Sequence, residues 1–476
     1  MQVLYERCCG LDVHKATVAA CVVAPGPGGV PRKEVRTFGT MTADLLALGD
    51  WLAANGVTHV AMESTGVYWK PIWNLLEERF TLLLVNAAHV KAVPGRKTDV
   101  HDCEWLADLL RHGLLKASFV PDRPQRELRE LTRYRTALIR ERASEVNRLQ
   151  KTLEGANIKL AGVATDVLGM SARRMLAALV AGEADAAVLA EMAQGRLRDK
   201  IPQLERALAG RFGAHQRFLV AEQLAHVDFL DERIARLDAE IGERTRPFAD
   251  VLERLDTIPG VGRRTAEILV AEIGVDMARF PTAAHLASWA GMCPGNNESA
   301  GKRRSGRTRR GNPWLRAALV EAAHAAGRAK KTYLGALSHR LAARRGKKKA
   351  TVAVGHAILV VAYHLIDGDT PYRDLGPAHF DERDRATVGR RLVRRLQTSA
   401  TRSPSNPPPD HARSFSQQLR QAQCWWRSTI GHPPTTTSEC GATGIRRLIV
   451  CRRKLPAGGR WPVRPLKGTD GAPNPR

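Results

Sequence analysis

The stretch 8-CCGLDVHKATVAACVVAP-25 decides the fold class. It contains two short runs rich in Val, Ala and Cys, separated by a polar segment that begins at Asp12. Runs of this length and composition predict two β-strands joined by a tight connection. Asp12 therefore stands where a first strand gives way to a second.

The segment 6–120 continues this pattern outward. "KEVRTFGT", "VTHVAMEST" and "FTLLLVNAA" predict further strands, and the apolar spacing of "TADLLALGDWLAANG" and "VYWKPIWNLLEER" predicts helices between them. Strands that alternate with helices indicate a mixed sheet flanked by helices. We therefore predict an α/β domain over residues 6–120.

The stretch 95-GRKTDVHDCEWLADLL-110 follows the last predicted strand and begins a helix with two aspartates, Asp99 and Asp102. Thr98 or Asp99 suits an N-cap, and acids in a first turn suit the helix dipole, so capping is the usual role of such an isolated pair. At positions i and i+3, however, the two also share one helix face.

Four carboxylates are predicted to gather at one edge of this domain. Asp12 and Glu63 end strands, and Asp99 and Asp102 begin a helix; such ends meet at one edge of an α/β sheet. Four acids would repel one another there unless cations neutralised them. Hard oxygen ligands favour Mg²⁺ or Mn²⁺, and two such ions about 4 Å apart suit phosphodiester chemistry.

The charge of the chain points to a polyanionic partner. Its 476 residues include 74 Lys and Arg against 48 Asp and Glu, a net charge of +26, which favours nucleic acid or an acidic membrane surface. No run of 18 apolar residues and no signal-peptide core occur, so we expect no membrane association and a cytoplasmic location. The eight cysteines are scattered without a C-x-x-C, which argues against a zinc ribbon or a disulfide framework.

Residues 121–245 predict a different, helical region. Leucines near heptad spacing in "LRELTRYRTALIRERASEVNRLQKTLEG" and 4–3–4 spacing in "FLDERIARLDAEIGERT" indicate two long charged helices separated by a compact helical insert. An antiparallel coiled coil, an arm for oligomerisation and an ordinary bundle all satisfy this pattern.

Residues 246–390 predict a third, mostly helical block that opens with "IPGVGRR" at 258–264. An apolar helix, a P-G-x-G turn and a second helix suggest a helix-hairpin-helix. Its Gly260 and Gly262 would let backbone N–H groups approach a phosphate, and Arg263 and Arg264 would add charge. The alternative is a simple interhelical turn.

A Gly/Arg-rich loop follows, "PGNNESAGKRRSGRTRRGNPWLR". Its density of cations, without an acid after Gly301, indicates phosphate contact or disorder. The cations are Lys302, Arg303, Arg304, Arg307, Arg309, Arg310 and Arg316, of which the first six are the predicted nucleic-acid contacts. The loop does not match a P-loop, because the glycine spacing is one residue too long and Arg303 replaces the Ser or Thr that would hold Mg²⁺. Ser299 could be a nucleophile activated by the arginines, although a loop serine is usually a turn residue.

Residues 398–476 differ from everything before them. They are rich in proline, strongly basic and without sustained periodicity, which predicts disorder. The abrupt change suggests an out-of-frame extension; normal function of a chain truncated at Gln397 would support that hypothesis.

These motifs, in this order over residues 6–397, resemble the transposases of the one-ten family of bacterial insertion sequences. The resemblance implies an RNase H or RuvC-like N-terminal domain, in which Asp12, Glu63, Asp99 and Asp102 form a D-E-D-D set holding Mg²⁺. It implies that Ser299 corresponds to the family's C-terminal catalytic serine. It also implies donor and target DNA as substrates and an element-encoded guide RNA as partner.

The sequence thus favours a DNA recombinase acting through a covalent phosphoserine. Because strand exchange needs two DNA sites held together, we expect a homo-oligomer, a dimer or a tetramer, associated with the bacterial nucleoid. One alternative is a structure-specific nuclease of the Holliday-junction type, which would hydrolyse DNA with the same metals. Another is a non-catalytic DNA-binding protein or a decayed copy.

Overall fold

The computed structural model describes residues 2–86, 90, 102–295, 297–382 and 385–400. The chain divides into two units, residues 1–385 and 386–476. All elements below except the last helix, Arg385–Ala400, belong to the first unit. Disorder was predicted for residues 398–476, but residues 398–400 end this last helix. The rest of the tail, from position 401 onward, lies outside the described residues.

A five-stranded mixed sheet forms the N-terminal part. Its strands are β1 (Cys8–Val13), β2 (Thr17–Pro25), β3 (Pro31–Gly39), β4 (His59–Glu63) and β5 (Thr81–Val85). The order across the sheet is β3-β2-β1-β4-β5. Strand β2 is antiparallel to β1 and β3, whereas β4 is parallel to both β1 and β5. The predicted mixed α/β domain is confirmed.

Helices cover both faces of this sheet, which is why its central strands are buried. Helices α1 (Thr42–Ala54) and α2 (Trp69–Leu76) pack on the face that carries Leu11. Helix α3 (Asp102–Arg111) packs on the face that carries Cys8. Since side chains alternate along a strand, neighbouring residues of β1 face different helices.

Two long helices dominate the middle of the chain. Helices α4 (Arg123–Gly155) and α9 (Ala214–Thr245) are antiparallel, because Glu127 pairs with Arg244 at 2.9 Å and Arg142 pairs with Asp231. Between them lie the short helices α5 (Leu160–Val163), α6 (Met170–Ala181), α7 (Ala186–Glu191) and α8 (Ile201–Leu208). These short helices bury their own apolar core against the adjoining ends of the long helices.

The C-terminal part is a helical bundle with one small hairpin. Its helices are α10 (Ala249–Asp256), α11 (Arg263–Ile273), α12 (Ala283–Trp289), α13 (Pro313–Arg328), α14 (Tyr333–Arg345), α15 (Lys347–Asp367) and α16 (His379–Glu382). The hairpin consists of β6 (Asn297–Ser299) and β7 (Lys302–Ser305). The sequence predicted an irregular loop there.

Helix α15 is the one described helix that is long and apolar enough, by length and composition alone, to cross a membrane. Its residues Val354, Ile358, Leu359 and Ala362 are buried within the bundle. This helix is therefore the central core element of the C-terminal part.

Candidate active site

Asp12 faces helix α3. It shares a face of β1 with Cys8 and Gly10, and Gly10 lies directly beneath the helix, because a Cβ added there would stand 2.2 Å from the carbonyl oxygen of Cys103. The Asp12 side chain is 21% exposed, and its Oδ2 lies 3.2 Å from Nε2 of the exposed His14. Asp12 is thus held at a half-buried edge and remains reachable from solvent.

Glu63 lies beside Asp12 on the neighbouring strand. Strands β1 and β4 are parallel, with Leu11 opposite Met62, so the register brings the next pair, Asp12 and Glu63, side by side. Ala61, two residues before Glu63, packs into the same cluster as Cys103. Strand alternation therefore puts Glu63 on the α3 face as well.

Helix α3 runs antiparallel to β1, which brings its first residue to the same edge. Its last carbonyl, of Arg111, accepts from the N–H groups of Leu4 and Tyr5, whereas the Cys8 thiol contacts the Ala107 carbonyl. The helix therefore begins at the carboxyl end of β1, with Asp102 first. Burial raises the pKa of the Cys103 thiol to about 11, and the charge of Asp12 contributes to that rise.

The structure thus gathers three of the four predicted carboxylates, Asp12, Glu63 and Asp102, at one edge. Asp99 lies outside the described residues. Among the described residues, no group of three or more His, Cys, Asp or Glu side chains is close enough to form a metal site. Carboxylate oxygens are hard donors of the kind that Mg²⁺ takes. Metal binding by these acids stays a prediction.

Ser299 stands at the tip of the small hairpin. It pairs with Lys302 across a two-residue turn formed by Ala300 and Gly301, whose φ angles are 50° and 72°. Two consecutive positive φ angles are those of the tight turn that best joins two twisted strands. Ser299 is exposed, so its hydroxyl is accessible.

The base of the hairpin is closed by backbone contacts. Pro294 bridges Thr308, and the N–H of Gly295 donates to the carbonyl of Arg307 at 2.9 Å. A Cβ on Gly295 would stand 2.5 Å from that carbonyl, which explains the glycine. Backbone pairing therefore closes the hairpin segment at its base as well as at its tip.

Four of the six predicted cationic side chains of this hairpin segment can be described. Lys302, Arg307, Arg309 and Arg310 are exposed. The side chains of Arg303 and Arg304 lie outside the described residues, although both belong to β7. Strand β7 carries no carboxylate. A phosphate approaching Ser299 would therefore meet several cations and no acid on that strand.

The turn between α10 and α11 carries the other predicted contacts. Gly260, with φ 88°, packs against α13, because an added Cβ would lie 2.3 Å from the carbonyl of Ala322. Gly262 is exposed and precedes the first residue of α11.

The two arginines that follow this turn are already engaged with acids. Arg263 pairs with Glu267 at 3.0 Å and Arg264 with Asp238 at 2.7 Å. Both guanidinium groups remain about half exposed, so a phosphate can still reach them. Their contact with DNA stays a prediction.

Glu272, a buried carboxylate that the sequence analysis did not identify, anchors the end of the serine hairpin segment. Glu272 on α11 is fully buried and accepts two hydrogen bonds from Arg133 of α4, at 2.7 and 2.8 Å. It also accepts from the side-chain amide of Asn312 at 2.6 Å. Asn312 caps α13 and ends the hairpin segment, so Glu272 joins that segment to both helices.

Arg129 completes this cluster from the same helix α4. It donates to the backbone carbonyls of Ala271 and Glu272. Burial lowers the pKa of Arg129 to about 10, although the neighbouring carboxylate opposes that shift. The Asn-Pro pair before α13 is a sequence signal for a helix start, but its partner Glu272 lies 40 residues away in the chain.

Comparison with protein families gives two matches, both to transposases. A family model for DEDD transposases of IS110 elements, described as "Transposase", matches residues 9–158. A second, described as "Transposase IS116/IS110/IS902 family", matches residues 252–337. The chain belongs to the IS110 family of transposases. The first match contains the carboxylate edge and the second contains the serine hairpin.

Individual relatives of the transposase agree. It is 26% identical over 321 residues to a "Probable family 20 transposase" of Pseudomonas aeruginosa, covering 66% of this chain and 85% of that protein. It is 30% identical over 259 residues to the 44.8 kDa protein of insertion element IS116 of Streptomyces clavuligerus, covering 47% and 62%. It is 34% identical over 135 residues to the 43.6 kDa protein of IS110 of Streptomyces coelicolor, covering 28% and 31%.

Proposed function

We propose that the transposase cleaves and exchanges DNA strands in a Mg²⁺-dependent reaction that passes through a covalent bond between DNA and Ser299. The observation that supports the proposal is that strand register and helix direction put Asp12, Glu63 and Asp102 at the same edge of one sheet, in a chain that also presents an exposed serine beside cations. Carboxylates and an activated hydroxyl are the two components that such chemistry requires.

The four carboxylates Asp12, Glu63, Asp99 and Asp102 would hold Mg²⁺ or Mn²⁺. When bound, the metal supplies charge that stabilises the developing negative charge on a phosphate. Strands β1 and β4 hold two of these side chains by their register, and the packing of α3 on Gly10 places the third, so these elements would determine where the ion binds. Nε2 of His14 lies 3.2 Å from Oδ2 of the Asp12 carboxylate.

Ser299 would act as the nucleophile. Its Oγ forms a bond to a DNA phosphorus, the bond from phosphorus to the departing sugar oxygen breaks, and the serine proton ends on that oxygen. A hydroxyl from a second strand then attacks the phosphoserine, and the serine recovers its proton. No phosphodiester bond is lost in the sum, so the energy of the first bond is conserved for strand exchange.

The finer fold assignments belong to this proposal. A hairpin meander β1-β2-β3 followed by parallel strands β4 and β5 is compatible with a RuvC-like domain. Two helices joined at residues 257–262, with an exposed glycine before α11, are compatible with a helix-hairpin-helix that contacts the DNA backbone.

The partners follow from charge and from the resemblance. A net charge of +26 favours nucleic acid, so we propose donor and target DNA as substrates and an element-encoded RNA as guide. Holding two DNA sites requires at least two subunits, a dimer or a tetramer. The corresponding location is the bacterial cytoplasm, at the nucleoid.

A covalent adduct is the decisive test. The full chain is incubated with Mg²⁺, the element's structured RNA and DNA carrying the element's ends. The reaction is stopped under denaturing conditions, and the protein residue attached to DNA is mapped by mass spectrometry. We expect an adduct at Ser299 that is absent in Ser299→Ala and in Asp12→Asn. Asp50→Asn, which changes an exposed aspartate on α1, is the matched control and should leave the adduct unchanged.

The same experiment separates the rival functions. A structure-specific nuclease would cut DNA in the Ser299→Ala variant and leave no adduct in the unaltered chain. A non-catalytic DNA-binding protein would bind DNA but give neither cuts nor an adduct, both in the unaltered chain and in Asp12→Asn. Either outcome would refute the recombinase.

A further inference from the structure

A strongly basic corner lies outside both family matches. We define the basic corner as the five cations around Gly346: Arg344, Arg345, Lys347, Lys348 and Lys349. All five are exposed, and no acid occurs between residues 339 and 349. Gly346, with φ 84°, makes the sharp connection between α14 and α15. Among the described residues, none of the five side chains has a carboxylate within ion-pair distance.

Local helix electrostatics do not account for these lysines. Arg344 and Arg345 end α14, where positive charge is favourable to the helix dipole. Lys347, Lys348 and Lys349 form the first turn of α15, where positive charge is unfavourable, and that turn contains no acid. The lysines also repel the two arginines across a single glycine. A bound polyanion would offset both costs.

The contacts of α13 and α15 show where the corner lies. The C-terminal half of α13 packs on Gly260, after α10, and Asp369, just beyond α15, pairs with Arg254 of α10 at 2.6 Å. Both helices therefore end on the same side of the bundle and run in the same general direction.

The N-termini of α13 and α15 lie together on the opposite side of the bundle. That side holds Asn312, where the serine hairpin joins α13. Gly355 of α15 lies against Leu319 of α13 and against Met292, which directly precedes the hairpin segment. At 1.5 Å per residue, Lys347 lies about 12 Å from Gly355 and Asn312 lies about 10 Å from Leu319, toward this same end.

We propose that the basic corner binds the phosphate backbone of the DNA duplex on which the serine hairpin acts. The proposal rests on the function proposed above for Ser299, and it adds a DNA contact beyond the hairpin and the 257–262 turn. DNA is favoured over RNA as the occupant because the corner and the hairpin lie at one end of the bundle. A strand held at Ser299 continues over the adjoining surface as duplex.

Salt dependence of DNA binding tests the corner. The affinity of the full chain for a duplex carrying the element's end is measured from 50 to 300 mM NaCl by fluorescence anisotropy, on the Asp12→Asn background so that no cleavage intervenes. Each lost lysine–phosphate contact lowers the salt slope by about 0.9. For Lys347→Gln/Lys348→Gln/Lys349→Gln we expect a slope lower by about 2 to 3 and an affinity at least about tenfold weaker at low salt.

The matched control removes the same charge elsewhere. Arg196, Arg198 and Arg206 are exposed arginines of the insert between the long helices, and their triple change to Gln should leave the slope unaltered. The corner variant should not melt at a lower temperature than its parent, because it removes unfavourable charge from a helix N-terminus. A stable corner variant with an unchanged slope, or an equal loss of slope in the control, would overturn the proposal.

A parallel titration with the element's structured RNA separates the two nucleic acids. Weaker RNA binding with an unchanged DNA slope would overturn the proposal in favour of an RNA surface. Failure of this proposal can also be distinguished from failure of the proposed covalent mechanism. A reduced DNA slope with no adduct at Ser299 would retain the docking surface while refuting the covalent mechanism.

Discussion

The side-chain amide of Asn312 donates a hydrogen bond of 2.6 Å to the carboxylate of Glu272, which is fully buried. The other end of the Asn312 amide accepts from the N–H groups of Trp314 and Leu315 and so caps α13. Because Arg133 holds the same carboxylate from α4, the end of the serine hairpin segment is fixed to the long helix through one acid.

The two roles of Asn312 can be separated by substitution. Asn312→Ser keeps an N-cap oxygen but removes the amide donor, so we expect a loss of about 1–3 kcal/mol in the free energy of unfolding. Asn312→Asp also keeps a good cap but sets a second carboxylate against buried Glu272, and should cost about 3–5 kcal/mol. Urea unfolding measures both losses.

Asp185 provides the control for capping alone. It is an exposed N-cap whose carboxylate accepts from Ala187 N–H, so Asp185→Asn should change stability by less than about 0.5 kcal/mol. If Asn312→Asp were as stable as the parent chain, Glu272 could not be the fixed anchor that we describe.

Gly10 determines how closely α3 approaches the sheet. In Gly10→Ala the new methyl would overlap the Cys103 carbonyl and the Ala107 nitrogen, both backbone atoms that cannot turn aside. We expect a loss of about 3 kcal/mol or more in the free energy of unfolding, and a displaced Asp102. Gly155→Ala, at the end of α4 with open space around it, should be neutral or slightly stabilising. Equal stability of the two variants would contradict the packing described.

Much of the α/β domain was predictable because its sequence is locally consistent. The runs on either side of Asp12 are short and rich in Val, Ala and Cys, and they became β1 and β2. The two long charged helices were also predictable from their leucine spacing. Both cases depend on periodicity within one element, which a single sequence displays directly.

Relationships between distant elements were not predictable in the same way. The stretch that contains Ser299 has no alternating apolar pattern, and it forms a hairpin through backbone pairing and two positive φ angles. The sequence analysis expected Gly260 to let backbone N–H groups approach a phosphate. In the structure, the missing side chain instead allows close packing against α13. Glu272 resembles any acid near a helix end until folding brings Arg133 and Asn312 against it.

Acid should weaken the attachment of α2 to α4. Glu77 accepts two hydrogen bonds from Arg126, at 2.6 and 2.9 Å, and these bonds hold the pKa of the Glu77 carboxyl below its usual value of 4.5. A lowered pKa in the folded state means that the stabilisation is present above pH 4.5 and is lost as the pH falls through the folded value. Glu77→Gln should therefore cost about 1–3 kcal/mol at pH 7 and progressively less below pH 4.5.

An exposed pair offers the comparison for this pH dependence. Glu232 pairs with Arg236 one turn along α9, with both side chains largely exposed. Glu232→Gln should change the free energy of unfolding by less than about 0.5 kcal/mol at pH 7. Thermal unfolding of both variants at pH 7, 5 and 3 gives the comparison; a Glu77→Gln effect that grew toward pH 3 would contradict the assignment.

The turn beside Ser299 should control formation of the covalent adduct. Gly301→Val places a β-branched residue at φ 72°, which costs about 1–2 kcal/mol. The ratio of formed to open hairpin should therefore fall about tenfold, and the adduct yield should fall with it. Ala300→Gly relieves the positive φ at the first turn position and should keep or raise the yield. The salt slope of DNA binding should be the same in both variants, because neither removes a charge. An adduct yield in Gly301→Val equal to that of the parent chain would mean that the hairpin does not position the serine.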